Sequence, residues 1–317
     1  MIIDFHVHVL PPEDMAAFTG TQFHRNIGAQ NKRSPTTIEN ALEAAKIGGV
    51  DITVISNPIH NLRDMDRKQQ FERCQRQNRF NAECQNKYHG KIVGMASTVP
   101  YGGDEFLRAF ERAIKQDGLK GAWITSSLQG KYPDDDEAMP FFQLAQELDV
   151  PVVIHPPSVG FGEERMRDYR LASSIGRPMD GALAISRLIV RGVFEKFPKL
   201  KVVFFEVSAE WILYWMHRMD DDWEWAKDFP QISGMLKMAP SEYIRRNVWI
   251  TCEADEGDMT RTIKELGEDR ILMASDYPHF DSEYPHTVSE IRKRKDLTEK
   301  QKDKVLGENA AKLLNLR

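Results

Sequence analysis

The strongest constraint on the fold is a regular alternation of short β-branched runs with longer segments of helical periodicity. Eight strands are predicted, at residues 2–8, 50–56, 91–99, 120–126, 151–155, 200–207, 248–252 and 271–275. Apolar strands that alternate with helices are typical of a parallel sheet covered by helices. Eight such units predict an α/β fold of the (β/α)8 TIM-barrel class, with a doubly wound open sheet as the alternative.

Composition fits one folded domain over residues 1–317, because 41% of the residues are hydrophobic and 29% are charged. The formal net charge of -5 argues against a surface that binds nucleic acid. No apolar run approaches the roughly 18 residues of a membrane span, and no basic and apolar leader precedes the first strand. We therefore expect a cytoplasmic protein with neither a nucleic-acid nor a membrane partner.

Two insertions interrupt the strand and helix rhythm, at residues 11–33 and 156–180. Both are rich in Gly, Pro and charge, and they follow the first and fifth predicted strands. In a barrel, the loops after strands build the active site, so these segments are predicted to be lids. They carry Arg25 and Arg177, whose guanidinium groups suit a substrate carboxylate. His279, after the last strand, is a further candidate for substrate contact.

Histidines and one carboxylate close three of the predicted strands. His6 and His8 are two residues apart, so their side chains share one face of the first strand. His155 closes the fifth strand and Asp276 follows the eighth. Three imidazoles and a carboxylate that leave a position for water suit a catalytic zinc or similar divalent ion. The alternative is that the histidines only bond loop backbone. The three cysteines lack CxxC spacing and do not indicate a metal site.

Three motifs carry a resemblance to a known family: DFHVH at residues 4–8, IHP at 154–156 and SDYPH at 275–279. They resemble the metal-dependent amidohydrolase superfamily, and specifically the branch that includes aminocarboxymuconate semialdehyde decarboxylase and the aromatic-acid decarboxylases. The resemblance implies a (β/α)8 barrel with one catalytic divalent ion. Zinc is expected first, with Mn, Co or Fe as alternatives. The implied metal ligands are His6, His8, His155 and Asp276.

A single metal is favoured over two. Two-metal relatives bridge their ions with a lysine or glutamate at the end of the fourth strand, and here Lys120 lies at the opposite end of that strand.

The chain departs from the decarboxylase pattern after its sixth strand. Where those enzymes usually carry a catalytic histidine, this sequence has Glu206. Glu206 could ligate the metal, act as general base toward water, orient a neighbouring ligand or cap the following helix. We expect an acid/base role, because an ionisable group at this ring of strand ends lies beside the metal.

These observations lead to a mononuclear metal enzyme that acts on a small carboxylated compound, aromatic or unsaturated. Non-oxidative decarboxylation is the leading hypothesis, with Glu206 and Asp276 as the catalytic residues. The alternative is a metal-dependent hydrolase of a C–C, ester, lactone or amide bond, with Glu206 as general base. A metal-binding barrel without turnover is the third possibility. A homo-oligomer, specifically a dimer, is also expected.

Overall fold

The computed structural model describes residues 1–19, 36–56, 62–157, 169–229, 236–279 and 282–316. Its strands are β1 (Ile3–Val7), β2 (Ile52–Ile55), β3 (Ile92–Gly94), β4 (Ala96–Ser97), β5 (Ala122–Thr125), β6 (Pro151–His155), β7 (Lys201–Phe204), β8 (Val248–Cys252) and β9 (Ile271–Met273). All the pairings between these strands are parallel.

The strands form a closed barrel. One ladder runs β1-β2-β3 and the other runs from β4 to β9 in sequence order. The third predicted strand is divided at Met95, whose N–H donates to Ile55 O at 3.2 Å, while the next N–H, of Ala96, donates to Gly121 O at 2.8 Å. The backbone thus changes partner from β2 to β5. A parallel bridge between Val7 and Tyr277 closes the ring. The (β/α)8 prediction is confirmed and the open-sheet alternative is wrong.

Helices follow the strands in the predicted order. They span Pro12–Thr19, Ile38–Gly48, Arg67–Lys87, Asp104–Lys115, Met139–Glu147, Tyr169–Leu171, Arg177–Val190, Val193–Lys196, Trp211–Ala226, Pro240–Asn247, Met259–Leu266, Thr287–Lys293, Glu299–Asp303 and Asn309–Leu313. Local sequence sets several ends. Asp66 and Gln69 form a capping box at the start of Arg67–Lys87, and Gly49, at φ 74°, ends Ile38–Gly48.

The helix predicted to begin at residue 181 instead begins at Arg177, because Pro178 suits a first helical turn. A π-helical stretch, Ala172–Gly176, joins it to Tyr169–Leu171. The C-terminal part of the predicted 156–180 insertion is therefore helical. Residues 20–35 and 158–168, which contain more than half of the first predicted lid and somewhat less than half of the second, lie outside the described residues.

The strands lie in the core. Fully buried apolar side chains such as Phe5, Val153, Val203 and Ile250 fill it, as expected for a parallel sheet covered on both faces. Buried polar side chains at or just after the strand ends include His6, Ser56, His155 and Asp276. Among the described helices, none combines the length and the apolar character that crossing a bilayer requires.

Candidate metal centre

The structure brings together five side chains that the sequence places at separate strand ends. His6 and His8 lie at the end of β1, His155 is the last residue of β6, Glu206 follows β7 and Asp276 follows β9. Their distance along the chain reaches 270 residues, yet the barrel places all of them at one mouth. This is where barrel enzymes carry their active sites.

The three imidazoles converge on one carboxylate oxygen. Glu206 Oε1 lies 3.2 Å from His6 Nε2, 3.3 Å from His8 Nε2 and 2.7 Å from His155 Nε2. Asp276 Oδ1 lies 2.8 Å from His8 Nε2 and 3.3 Å from His6 Nε2. Ligands at about 2.1 Å from one ion, in tetrahedral or octahedral geometry, lie about 3.0–3.4 Å from one another. The spacing of these donor atoms is therefore close to that of a shared cation.

Hydrogen bonds at Nδ1 orient the rings of His6 and His155 so that each Nε2 faces the shared position. His155 Nδ1 donates to Pro156 O at 2.6 Å, so a neutral His155 carries its lone pair on Nε2. His6 Nδ1 hydrogen-bonds to Ser56 Oγ at 2.7 Å. Metal-binding histidines typically make such outer contacts, which fix the ring and its tautomer. Sequence reasoning missed Ser56, although its place directly after β2 was a signal that could have identified it.

The acceptors in this cluster require positive charge. Asp276 Oδ1 is buried, and the Nε2 atoms of His8 and His6 that it faces also face Glu206 Oε1, so two carboxylates share the same two nitrogens. Burial by itself lowers the pKa of His8, but the carboxylates of Asp276 and Glu206 outweigh it and raise that pKa to about 9. Burial lowers the pKa of His155. A proton on His8 would offset one of the two carboxylate charges, whereas a bound divalent cation would offset both, and the donor set suits the cation.

Both carboxylates are held ionised. Burial raises the pKa of Glu206, but His155 and the hydrogen bonds from the histidines outweigh it and hold the pKa well below its usual range. For Asp276, the charges of His279 and His8 likewise overcome burial and lower its pKa. Metal ligands must be deprotonated, so these carboxylates are in the form that a cation binds.

Three residues at this mouth have left-handed backbone conformations. Glu206 has φ 52°, Ser208 has φ 63° and Asp276 has φ 54°. A non-glycine residue in this region costs about 1–3 kcal/mol and persists only where the surroundings enforce it. Two of the three supply carboxylates to the cluster, so this strain occurs where the side chains are aimed at one point.

Two of the three predicted substrate contacts, Arg177 and His279, lie beside the cluster. Arg177 Nη1 is 3.6 Å from Glu206 Oε2. His279 Nδ1 is 3.1 Å from Asp276 Oδ2, and its ring stacks on His8 with centroids 5.0 Å apart. Arg25 lies outside the described residues.

Aromatic side chains lie against the histidines on the core side. The ring centroid of Phe205 is 4.2 Å from that of His6, and the ring of Trp123 is 5.3 Å from that of His155. Both aromatic residues are almost completely buried. They exclude water from this side of the cluster, which strengthens the electrostatic interactions there.

A buried cluster of imidazoles and carboxylates at the mouth of a (β/α)8 barrel is the arrangement of a metal-dependent barrel protein. The sequence model of the family described as "Amidohydrolase" matches residues 3–316. The chain belongs to this family, which confirms the resemblance found in the motifs.

Three known proteins illustrate the likeness. Over 227 residues the chain is 28% identical to 2-amino-3-carboxymuconate-6-semialdehyde decarboxylase of Dictyostelium discoideum, an alignment that covers 71% of this chain but only 62% of that relative. The crystal structure of 5-carboxyvanillate decarboxylase from Sphingomonas paucimobilis superposes with a TM-score of 0.86 at 25% identity, covering 100% of this chain and 99% of the other.

The third is a dihydroxybenzoic acid decarboxylase from Polaromonas, whose crystal structure holds manganese and the inhibitor 2-nitroresorcinol. It superposes with a TM-score of 0.81 at 24% identity, covering 99% of this chain and 97% of that one. At this identity the likeness shows the shared fold.

Proposed function

We propose that this protein is a mononuclear metal-dependent enzyme that removes carbon dioxide non-oxidatively from a small carboxylated compound, aromatic or unsaturated. The observation that carries the proposal is the convergence of three Nε2 atoms and two carboxylates in one buried cluster at the barrel mouth. The three similar proteins described above are named decarboxylases, which supports the reaction class. Their aromatic or unsaturated acids support the substrate class.

The proposed metal ligands are His6, His8 and His155 through Nε2, and Asp276 through Oδ1. When bound, a divalent ion would supply Lewis acidity to a substrate oxygen. The sequence favours zinc, whereas a structural neighbour holds manganese. Nitrogen and carboxylate donors suit both ions. Metal analysis of the protein purified without added metal, followed by reconstitution with each ion, decides between them.

Protons must also be handled, because decarboxylation replaces a carboxylate group with a proton on carbon. We assign this transfer to Asp276, which would first take up a proton from solvent by way of His279, 3.1 Å from its second oxygen, and would then pass it to the carbon as carbon dioxide leaves. Glu206 is the second acid/base candidate. Its Oε2 faces the Arg177 guanidinium, which keeps Glu206 in the ionised form that a base must have before it accepts a proton.

Substrate binding is assigned to Arg177, Arg25 and His279. Arg177 is largely buried and lies at the cluster, so its guanidinium can pair with a substrate carboxylate in a site with little water. Arg25 and the closure of the two lids remain predictions.

The test is a metal-dependent activity screen over aromatic and unsaturated carboxylic acids. Carbon dioxide release is scored separately from ester, lactone and amide hydrolysis, and the His6→Ala/His8→Ala double variant serves as the control. The alternative function is a metal-dependent hydrolase, for which the position of Glu206 beside the cluster provides a general base. Hydrolysis without carbon dioxide release would establish this alternative. Metal binding without any turnover would instead indicate a binding barrel.

A dimer also remains a prediction. On the helix Trp211–Ala226, Tyr214 and Trp225 are 62% and 63% exposed. Aromatic side chains are enriched at subunit contacts. Analytical ultracentrifugation of the metal-loaded protein measures the oligomeric state directly.

A further inference from the structure

The loops after β7 and β8 are joined by two carboxylates at the barrel mouth, one from each loop, and each accepts hydrogen bonds from the other loop. From the loop after β8, Glu256 Oε2 accepts hydrogen bonds from Ser208 Oγ at 2.8 Å and from Ala209 N–H at 2.6 Å. From the loop after β7, Glu210 Oε1 accepts a hydrogen bond from Asp258 N–H. The segment that carries Glu206 is therefore attached to its neighbour at two points.

The loop after β8 is itself anchored. Arg294 donates from Nη1 to Ala254 O at 3.2 Å and to Glu256 O at 2.5 Å, and from Nη2 to Gly257 O at 2.6 Å. The second oxygen of Glu256, Oε1, accepts from Glu253 N–H at 3.2 Å within the same loop. Hydrogen bonds within its own loop therefore fix the position of the Glu256 carboxylate. The segment 206–209, which donates to this carboxylate, is thereby bound to a rigid part of the structure.

The segment that Glu256 binds has a strained backbone. Glu206 and Ser208 both have positive φ, at 52° and 63°. Neither is a residue type that adopts this conformation readily. Glu256 accepts hydrogen bonds from the side chain of Ser208 and from the next backbone N–H, of Ala209, so these bonds act where the chain would otherwise relax to an ordinary conformation.

We propose that Glu256 is a positioning residue that holds the Glu206–Ser208 turn in its left-handed conformation and thereby aims the Glu206 carboxylate at the three histidines. Without it, the turn relaxes and Glu206 Oε1 leaves the point where the Nε2 atoms converge. The cation site then loses a neighbouring negative charge, whether Glu206 ligates the ion or only lies beside it. This inference rests on the proposed function only in that Glu206 belongs to the metal centre. It holds for decarboxylation and hydrolysis alike.

The experiment uses cobalt(II) as the probe and the full-length protein, so no substrate is needed. Binding affinity is measured by titration, and the visible absorption of the bound ion reports its ligand geometry. Partners of this kind typically contribute 10–100-fold to metal affinity. We expect Glu256→Ala to weaken cobalt binding about 10-fold and to change the spectrum, and Glu256→Gln, which keeps one acceptor oxygen, to weaken it less.

A second substitution separates positioning from general stability. Asparagine adopts positive φ more readily than serine, so Ser208→Asn in the Glu256→Ala background should recover part of the affinity and the spectrum. The matched control is Glu195→Ala, because Glu195 is also a partly buried carboxylate that accepts from a hydroxyl, Tyr243 Oη, and a backbone N–H. It lies on the helix before β7, and its loss should leave cobalt binding unchanged.

Wild-type affinity and spectrum in Glu256→Ala would overturn the positioning role. So would an equal loss in Glu195→Ala, or no recovery on adding Ser208→Asn. If Glu256→Ala does not fold, as judged by circular dichroism, the same comparisons are made with Glu256→Gln. Wild-type protein that binds no cobalt would overturn the metal centre itself and this inference with it, whereas a binding wild type with an indifferent Glu256 overturns the inference alone.

Discussion

Glu206→Gln is the substitution that distinguishes the candidate mechanisms most sharply. The amide has the shape of the carboxylate but lacks its charge and much of its basicity. Glu206 Oε1 contacts three imidazoles, and the side chain is only 8% exposed, so water cannot replace the lost charge. When the Nε2 atoms hold a cation they cannot also donate to Glu206, so the carboxylate then interacts with the positive charge of the ion. Removing one partner of a buried charge pair costs about 3–5 kcal/mol.

This range overlaps the loss expected of a general base. Removing a positioned base lowers kcat by about 10²–10⁴, which corresponds to about 2.7–5.5 kcal/mol of activation free energy. The energy alone does not distinguish base from ligand. The two roles differ in where the loss appears, so kcat, KM and metal content must be measured on the same preparation.

Three results have distinct meanings. A kcat that falls by about 10²–10⁴ with metal content unchanged identifies Glu206 as the base. Weaker metal binding, with activity partly restored by added metal, identifies a ligand. If Glu206→Gln retains kcat and metal while carbon dioxide is still released, and Asp276→Asn abolishes turnover with metal saturating, the acid/base assignment of Glu206 is refuted and the decarboxylase proposal is strengthened. Glu195→Gln is the control for loss of a buried carboxylate elsewhere.

Three further outcomes follow from the same geometry. The His6→Ala/His8→Ala protein should lose the single divalent ion that elemental analysis is expected to find in the wild type; metal content unaffected by this change would contradict the ligand assignment. Arg177→Met should raise KM for a carboxylated substrate more than it lowers kcat, and steady-state kinetics should show little change for Arg187→Met on the same helix. Ser56→Ala removes the outer hydrogen bond of His6 and should weaken metal binding about 10–100-fold by competition with a chelator, so an unchanged affinity would show that packing alone orients the ring.

Much of the fold and the outline of the site could be read from the sequence, because both depend on local patterns. Strands and helices have different hydrophobic periods, so their alternation indicates a parallel barrel before any contact is known. A barrel has one catalytic mouth at the carboxyl ends of its strands, so His6, His155 and Asp276 could be grouped from their positions at strand ends. The spacing of His6 and His8 placed both on one face in the same way.

The tertiary structure decided what depends on contacts between distant segments. Periodicity predicted a single strand at 91–99, but the interruption at Met95 depends on which neighbours are available for hydrogen bonding. Ser56 became part of the site only when β2 was placed beside β1. Arg177 reached Glu206 because its helix begins earlier than periodicity indicated.

Glu206 shows the reason most clearly. The sequence left it as ligand, base, orienting residue or helix cap, since its local pattern suits each of these. Its backbone lies at φ 52°, a conformation that its residue type disfavours and that no local pattern predicts. Ser208 and Ala209, close to it in the chain, donate hydrogen bonds to the carboxylate of Glu256, which lies 50 residues beyond Glu206. Such a conformation is stable only when the assembled barrel supplies those contacts, so the direction of this side chain is a property of the tertiary structure alone.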